Sequence, residues 1–356
     1  MHKYIAAGLV ALGASPTLAG GIERSPQSMN ILFQEGRYLE LGATYGAPRV
    51  SGNAPGASGN IARSFFSGSI AYKADVNDQL SYAIILDQPF GADVLYPTGT
   101  GATLTGATAK ISNTTLTGVL RYKFGNGFSA HAGLRSSWTS GSVGLPVLGY
   151  SMATNTDQAF GYLVGVAYEK PEIAMRVALT YQSSIKHTFD ATETGPGPVP
   201  QASTRFSTTI PESLNLEFQT GIAEDTLLFG SVRWMKWKDF VIAPPQYTAS
   251  PATTAPLVAY QKNSVAYTLG VGRRFNENWS GSLSLSYDTG NGNPTSNLGP
   301  TGSRTSIGIG ASYTLDAMTI SGGVQYTKLG SATTNLGGQF SNNSAIGVGV
   351  RVGFRF

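Results

Sequence analysis

Hydrophobic and polar residues alternate one by one along much of this chain. In the segment 344–356 the large apolar residues stand at every second position, namely Ile346, Val348, Val350, Val352, Phe354 and Phe356. Successive side chains of a β-strand point to opposite faces, so the segment predicts a strand with one apolar and one polar face. Strands of this kind build barrels that turn the apolar face to lipid and the polar face to a lumen.

About fourteen such segments follow one another from Arg37 to the end, separated by turns rich in Gly, Asn, Asp, Pro and Ser. They lie near Arg37–Tyr45, Ser64–Ala74, Gln79–Phe90, Lys110–Phe124, Gly127–Ser140, Ala159–Glu169, Glu172–Phe189, Thr204–Thr220, Asp225–Phe240, Ser264–Phe275, Trp279–Tyr287, Ser303–Leu315, Met318–Lys328 and Ser344–Phe356. An even number of strands closes an antiparallel barrel. We therefore predict an all-β fold, a transmembrane antiparallel β-barrel of about 14 strands over residues 37–356.

The connections between these segments are of two kinds. Short turns alternate with longer stretches near 140–156, 191–203, 241–261 and 290–302. Short periplasmic turns and long outer loops are typical of such barrels. Aromatic residues at strand ends predict the girdles at the two membrane interfaces, and they include Tyr72, Tyr122, Phe124, Tyr168, Trp234, Trp237, Phe275 and Trp279.

The N-terminus predicts export. An apolar stretch from Ile5 to Leu12 is followed by Thr17, Leu18 and Ala19, which place small residues at the spacing of a signal-peptidase site. We predict a signal peptide over residues 1–19. No later run approaches the roughly twenty apolar residues of a spanning helix.

Composition narrows the class further. Charged residues make up 12% of the chain, which contains 45 Gly, 17 Tyr, 16 Phe and no Cys, and the net charge is +4. A soluble secreted sandwich or barrel would also alternate, but its outer faces would carry more charge. The low charge favours the membrane barrel, and no basic run indicates a nucleic-acid partner.

Two stretches carry a family resemblance. Phe160–Asp190 contains an A-L-T-Y-x-S motif followed by lysine and histidine, and Ile210–Phe240 pairs I-P-E-S-L with W-x-x-W-x-x-F. Together with the aromatic ending at Phe356, they resemble the outer-membrane long-chain fatty acid transporter family, the FadL type. The resemblance implies a bacterial outer-membrane location, insertion by the barrel assembly machinery through Phe356, and a monomer surrounded by lipid and lipopolysaccharide.

The same resemblance implies a short N-terminal hatch inside the lumen, over residues 20–36. Ser25, Pro26 and Gln27 stand where the family has a conserved turn, and Ile31 and Phe33 are the apolar residues that follow. The predicted loops 140–156 and 191–203 are short for the extracellular helices that form a capture groove in the family.

Charged residues on the polar faces are expected to point into the lumen, because an Arg or Lys at the lipid midplane costs about 2 to 4 kcal/mol. This set comprises Glu40, Lys110, Arg121, Lys123, His131, Arg135, Arg176, Lys186, Glu217, Arg351 and Arg355. Its basic surplus suits a carboxylate ligand. The alternative is that these groups only pair with one another inside the barrel.

The resemblance also implies ligand-binding residues. Lys262 falls where the family has a lysine near the ligand carboxylate. The partnering arginine of the family falls near Ser140, which leaves Arg135 as a displaced candidate. If that arginine is missing, an aromatic or alkane hydrocarbon is the expected ligand instead of a fatty acid.

Pro89 interrupts an otherwise apolar segment. Proline has no N–H for the ladder, so it implies a bulge, a kink or a local gap. The resemblance implies a side opening here, through which a hydrophobic ligand leaves the lumen. The alternative is that Pro89 ends the strand at the membrane surface.

No catalytic signature is present. Beyond the signal peptide the histidines are His131 and His187, and no G-x-S-x-G, Walker or H-E-x-x-H pattern occurs. We therefore expect a passive channel for hydrophobic compounds, without enzyme activity, metal or cofactor. A water-filled diffusion porin for small anionic solutes is the alternative.

Overall fold

The computed structural model describes residues 21–25, 27–196, 200–253 and 255–356. The predicted signal peptide, residues 1–19, and Pro26 lie outside the described residues. The fold is all-β, and its main element is a closed antiparallel barrel of 14 strands. The predicted fold class and strand number are confirmed.

The barrel strands follow chain order, and four of them consist of two segments. They are β1 Tyr38–Arg49, β2 Phe65–Asp75, β3 Leu80–Asp87 with Gly91–Leu95, β4 Thr108–Gly125, β5 Phe128–Leu145, β6 Tyr150–Thr154 with Asp157–Lys170, β7 Met175–Gln182 with Ile185–Thr194, β8 Gln201–Ile210 with Ser213–Ala223, β9 Thr226–Met235, β10 Ser264–Arg274, β11 Trp279–Asp288, β12 Arg304–Leu315, β13 Met318–Leu329 and β14 Asn343–Arg355. Closure comes from β1, which pairs with β14 from Tyr38↔Arg355 to Arg49↔Ser344.

The remaining elements are short. The helices are Asn30–Phe33, Pro146–Leu148, Pro171–Ile173, Trp237–Asp239 and Pro245–Thr248. Small loop strands are Gly52–Asn53, Val241–Ile242, Val258–Ala259, Ala332–Thr333 and Gln339–Phe340. In the described part of the chain, no helix combines the length and the apolar character that a membrane crossing requires.

The outer surface of the barrel carries the predicted apolar band. Ile346, Val348 and Val350 of β14 are exposed, as are Ile309 of β12 and Val324 of β13. These large apolar side chains lie outside the core on neighbouring strands, so they form a continuous apolar surface. Such a surface is stable only against lipid. The apolar face predicted for the last strand is therefore the lipid-facing one.

The outer half of the wall reverses this polarity. On β7, Ile185 and Phe189 are buried inside the barrel, whereas Lys186 and Asp190 are exposed. The same holds on β4, where the buried Asn113 and Thr115 mark the inward face, so that Ile111 faces the lumen and the exposed Lys110 faces outward. These segments extend beyond the lipid, so that water lies outside and apolar side chains lie inside.

The prediction that Lys110 and Lys186 point into the lumen is therefore wrong. It rested on the rule that polar faces turn inward, which holds only where lipid surrounds the barrel. In β7 the reversal of polarity occurs at Ser183 and Ser184, because Gln182 and Ile185 on either side of this break both face inward. Two residues between inward positions, in place of one, shift the alternation by one residue.

Two predicted loops are also shorter than expected. Most of the stretch 140–156 belongs to strands, because β5 continues to Leu145 and β6 begins at Tyr150. The stretch 191–203 likewise contains the end of β7 and the start of β8. Their Ser and Thr residues continue the ladder above the lipid, where a polar outer face is compatible with a strand.

Candidate functional site

The lumen contains an upper and a lower cavity. An upper cavity of about 190 Å³ is lined mainly by apolar residues, including Val50, Phe90, Phe206, Phe240, Leu257 and Leu298. A lower cavity of about 250 Å³ is lined by many polar residues, including Glu40, Ser69, Asn215, Glu217, Gln325 and Arg351. Glu23 and Arg304 line both cavities, so the boundary between them lies at these residues.

An aromatic cluster forms one wall of the upper cavity. Trp237 is fully buried, and its ring lies 5.3 Å from Tyr260, 5.7 Å from Phe240 and 6.4 Å from Phe90 between centroids. The interplanar angles of 77°, 76° and 83° are edge-to-face arrangements, which aromatic pairs favour. Burial raises the pKa of the Tyr260 hydroxyl above its usual range. The prediction that Trp237 belongs to an interface girdle is wrong, because the chain leaves β9 at Met235 and turns inward.

The N-terminal segment, residues 21–36, lies against inward-facing residues of the barrel. It begins beneath Trp237, where Gly21 has φ +68° and an added Cβ would lie 2.9 Å from the indole ring. Only glycine fits both the conformation and the space.

The first residues of this segment pair with the break in β3. The amides of Arg24 and Ser25 donate to the carbonyl oxygen of Pro89 at 2.7 and 3.3 Å, and the amide of Gly91 donates to the oxygen of Ile22 at 2.9 Å. The break leaves backbone groups of β3 without a ladder partner, and the N-terminal segment supplies one.

A buried ion pair holds the same segment to the opposite wall. Glu23 Oε1 accepts hydrogen bonds from Arg233 Nε at 3.0 Å and Nη2 at 2.6 Å. Glu23 is 3% exposed and Arg233 is 4% exposed. Burial raises the pKa of the Glu23 carboxyl, and the guanidinium of Arg233 opposes that rise. A charge pair this deep is costly to break, because either partner left alone would be a buried uncompensated charge.

Below the ion pair, polar contacts continue the attachment. Arg135 Nη2 donates to Gln27 Oε1 at 2.7 Å, and Gln182 Nε2 donates to the Gln27 carbonyl oxygen at 3.4 Å. Ser28 Oγ and Asn30 Nδ2 both donate to Glu217 Oε1, at 2.5 and 3.3 Å.

Phe33 forms the lowest attachment. Its ring lies between two guanidinium groups, with Arg121 Cζ at 4.4 Å and Arg176 Cζ at 4.3 Å from the centroid. Both distances lie within the range of cation–π attraction. Arg121 also donates to the carbonyl oxygen of Leu32 at 3.1 Å, so this end of the segment is fixed by backbone and side chain together.

A gap in the ladder separates β2 from the outer part of β3. The register runs to Ile70↔Leu86 and then stops. Beyond it, the amide of Gly68 donates to Gln88 Oε1 at 3.3 Å, and backbone bonding returns only at Arg63 and Asp93, before the start of β2. Pro89 lies inside the course of β3, which resumes at Gly91 and pairs again with β4.

Arg24 fills this gap from inside. Its guanidinium lies 4.4 Å from the centroid of Phe65 on β2, and a Cβ on Gly91 would lie only 2.5 Å from its Cζ. Arg24, Phe65 and Gly91 all line the upper cavity. A single side chain of the N-terminal segment thus lies between the apolar cavity and the opening in the wall.

The two residues predicted to bind ligand lie apart. Lys262 is exposed in an outer loop, where its amide donates to the carbonyl oxygen of Asn291 at 2.8 Å, and it does not line the upper cavity. Arg135 is 2% exposed beneath the cavity, against Gln27. Of the predicted hatch residues, Ser25 and Gln27 make the contacts above, and Ile31 packs with the lower apolar cluster.

Sequence reasoning missed several residues of the site. Arg24 and Glu23 lie in a segment without periodicity, so no pattern marked them. Asn113 and Thr139 stand on the inward faces of β4 and β5, and a strict count of alternation from Arg121 and Arg135 would have placed both inside. His187 lies after the break in β7 and Thr208 before the break in β8, and a count of alternation carried through these breaks assigns both to the wrong face.

The model of the family described as outer membrane protein transport protein (OMPP1/FadL/TodX) matches residues 39–354. No curated protein matches the chain.

Several solved structures have the same fold. A Pseudomonas aeruginosa FadL homologue superposes with a TM-score of 0.78 at 15% identity over 99% of both chains. The Ralstonia pickettii toluene transporter TbuX gives 0.66 at 15% identity over 100% of both chains. The Pseudomonas putida toluene transporter TodX gives 0.68 at 13% identity over 97% of this chain and 98% of that one.

Proposed function

The chain belongs to the outer membrane protein transport family (OMPP1/FadL/TodX), whose members carry hydrophobic compounds through outer-membrane barrels, and we propose that its solutes enter the upper cavity and leave sideways through the gap beside Pro89. The observation that carries the proposal is the position of Arg24, between an apolar cavity and an interruption of the wall. The diffusion-porin alternative is not favoured.

The nature of the upper cavity supports a hydrophobic solute. Burying apolar surface stabilises by about 25 cal/mol per Å², so the transfer of a hydrophobic compound from water to this site lowers the free energy. The volume of about 190 Å³ is of the same order as the ~150 Å³ apolar cavity that binds benzene. A compact hydrocarbon of one or two rings fits within it, whereas a long acyl chain would extend out of it. Toluene is the compound named for TbuX and TodX, which share the fold.

The barrier beneath the cavity supports a sideways exit. To reach the lower cavity, a solute must pass Glu23 and Arg233, whose burial depends on their pairing. It would then enter a polar chamber lined by groups such as Glu217 and Arg351. The gap beside Pro89 opens toward the apolar band instead, and the exposed Phe66 and Ile70 lie on its outer rim.

The N-terminal segment acts as the hatch in this proposal. Its backbone bonds to Pro89 and Gly91, and the side chain of Arg24, keep the gap closed at rest. A local shift of residues 22–25 is enough to clear the opening, and the attachments around Gln27 and Phe33 can remain. Binding by Lys262 stays a prediction of the resemblance.

Cross-linking across the gap tests the exit. The natural chain has no cysteine, so Gly68→Cys with Gln88→Cys places the only two thiols on either side of the gap. Gly68 has space for a Cβ, since the nearest atom would lie 3.9 Å away. A cleavable bis-methanethiosulfonate reagent should lower naphthalene transfer into proteoliposomes at least tenfold, and a reductant should restore it.

The matched control is Thr305→Cys with Lys328→Cys, an outward-facing pair of ladder neighbours on β12 and β13. Cross-linking of this pair should leave transfer unchanged. Unchanged transfer across a closed gap would contradict the sideways exit. Transfer no faster than through protein-free liposomes would contradict transport itself.

A further inference from the structure

One patch of the upper cavity wall is polar. Asn113, Thr139, His187 and Thr208 line the cavity from β4, β5, β7 and β8. The ladder sets Asn113 opposite Thr139 and His187 opposite Thr208, and a hydrogen bond joins the two pairs, since Thr139 Oγ1 lies 3.1 Å from His187 Nε2. The four side chains form one connected patch on an otherwise apolar surface.

The hydrogen bonds of this patch fix its donors and acceptors. His187 Nδ1 lies 2.8 Å from Asp157 Oδ2, so the carboxylate makes Nδ1 the protonated nitrogen and leaves Nε2 as the acceptor of a neutral ring. Asn113 Nδ2 donates to both Ser137 Oγ and Thr139 Oγ1, each at 2.8 Å.

The patch contains two hydroxyl protons that point to a single acceptor, so one of them is left without a partner. Ser137 Oγ and Thr139 Oγ1 both lie near His187 Nε2, at 3.2 and 3.1 Å, and both already accept from Asn113. The single lone pair of Nε2 satisfies one of the two protons. Ser137 is fully buried and Thr139 lines the cavity, so the surplus donor is available to a ligand at Thr139.

Thr208 supplies a second available group. Its Oγ1 is buried and, among the described residues, has no hydrogen-bond partner. A buried hydroxyl without a partner costs about 1 to 3 kcal/mol, which a ligand group can recover. The wall therefore carries two such hydroxyls, at Thr139, which lies 3.1 Å from His187 Nε2, and at Thr208, the ladder neighbour of His187.

Charge decides which ligand group fits. In the part of the chain that the structure describes, no Lys or Arg hydrogen-bonds to a member of this patch, whereas the Asp157 carboxylate does. A carboxylate ligand at this patch would therefore bring a second negative charge beside Asp157, and Arg24 and Arg304, which line the same cavity, make no hydrogen bond to the patch within the described residues. An ammonium group would lose its hydration in an apolar cavity.

We propose that this patch is a subsite for an uncharged hydroxyl group, so that the preferred solutes are hydrophobic phenols or alcohols. A hydroxyl both donates and accepts, so it suits a wall that carries the hydroxyl groups of Thr139 and Thr208. The inference rests on the proposed function, because it assigns the solute class of the same upper cavity. It adds a polar specificity group to a site otherwise selected by hydrophobicity.

Three matched probes test the subsite. para-Xylene, para-cresol and para-toluate share one ring and differ only in a methyl, hydroxyl or carboxylate substituent. Binding to the purified protein in lipid nanodiscs is measured by calorimetry, with empty nanodiscs subtracted. Cresol should bind about tenfold more tightly than xylene, as one recovered hydrogen bond implies, and toluate should bind more weakly than cresol.

Thr208→Val keeps the shape of the side chain and removes the hydroxyl. It should lower the cresol-to-xylene preference at least threefold and leave xylene affinity unchanged. Thr209→Val is the matched control, because Thr209 is the next residue of β8 and faces outward with Lys186. This control should change neither affinity.

Each contrary result has a distinct meaning. Cresol binding no tighter than xylene, or equal effects of the two valine variants, would overturn the subsite and leave the hydrophobic channel intact. Toluate binding most tightly would overturn the uncharged-group assignment. Failure of all three probes to bind would overturn the proposed function together with the subsite.

Discussion

The ion pair between Glu23 and Arg233 offers the most direct control of the N-terminal segment, which we propose to act as a hatch. Glu23→Gln keeps the size of the side chain and one acceptor oxygen but removes the charge. Arg233, which is 4% exposed, then loses the carboxylate that accepts hydrogen bonds from its Nε and Nη2 atoms. Breaking a buried pair in this way costs about 3 to 5 kcal/mol.

The cost falls on docking of the segment and not on the barrel. Glu23 belongs to the N-terminal segment, and Arg233 regains water when that segment leaves. A cost of 3 kcal/mol corresponds to roughly a hundredfold shift, since about 1.4 kcal/mol is a factor of ten. We take the lower end because both hydrogen bonds go to one oxygen, Oε1, which the glutamine side chain keeps.

Single-channel recording in planar bilayers measures the effect. The fraction of time spent in an ion-conducting state should rise about a hundredfold in Glu23→Gln, while heat-modifiable migration on gels remains that of a folded barrel. Glu35→Gln is the matched control, because Glu35 lies in the same segment and is exposed. It should behave as the natural protein does.

The double variant Glu23→Gln with Arg233→Gln also removes the uncompensated guanidinium charge. It should return the open fraction most of the way to its original value. Equal open fractions for Glu23→Gln and Glu35→Gln would refute the reasoning. So would a double variant more open than the single one, since the cost would then not come from the uncompensated guanidinium.

Two further predictions concern the lower attachment and the lipid-facing surface. Phe33→Leu removes both cation–π contacts, worth about 1 to 2 kcal/mol together, and should raise hydrogen exchange of residues 28–36 about five- to thirtyfold, whereas Phe33→Tyr should not. Ile309→Arg places a charge on the lipid-facing side of β12, where it should lower the unfolding free energy in urea by about 2 to 4 kcal/mol; Leu336→Arg, in an exposed outer loop, should leave it within 0.5 kcal/mol.

Much of the barrel could be predicted because lipid imposes a strict rule. Where hydrocarbon surrounds the wall, every second residue must be apolar, and β12, β13 and β14 follow this rule almost without exception. The number of strands and the inner positions of Arg121, Arg135 and Arg176 follow from the same count. Arg121 and Arg135 are buried inside, and the half-buried Arg176 lies against Phe33, as the alternation requires.

The upper site could not be predicted in this way. Breaks at Ser183 and Ser184 in β7, and at Pro211 and Glu212 in β8, each shift the alternation by one residue. If the alternation of inward and outward residues is continued through these breaks, Lys186 and Thr208 are assigned to the wrong faces. The contacts of Arg24 depend on a segment that has no period of its own, and they arise only when the barrel encloses it.

The reversed polarity of the upper wall sets where a solute loses its water. The apolar chamber lies inside the part of the barrel whose outer face is polar, above the apolar band that lipid surrounds. On the proposed route, a molecule is therefore stripped of its hydration shell inside a shielded compartment before it meets the bilayer. Shortening the barrel to its lipid-embedded part would remove that shelter.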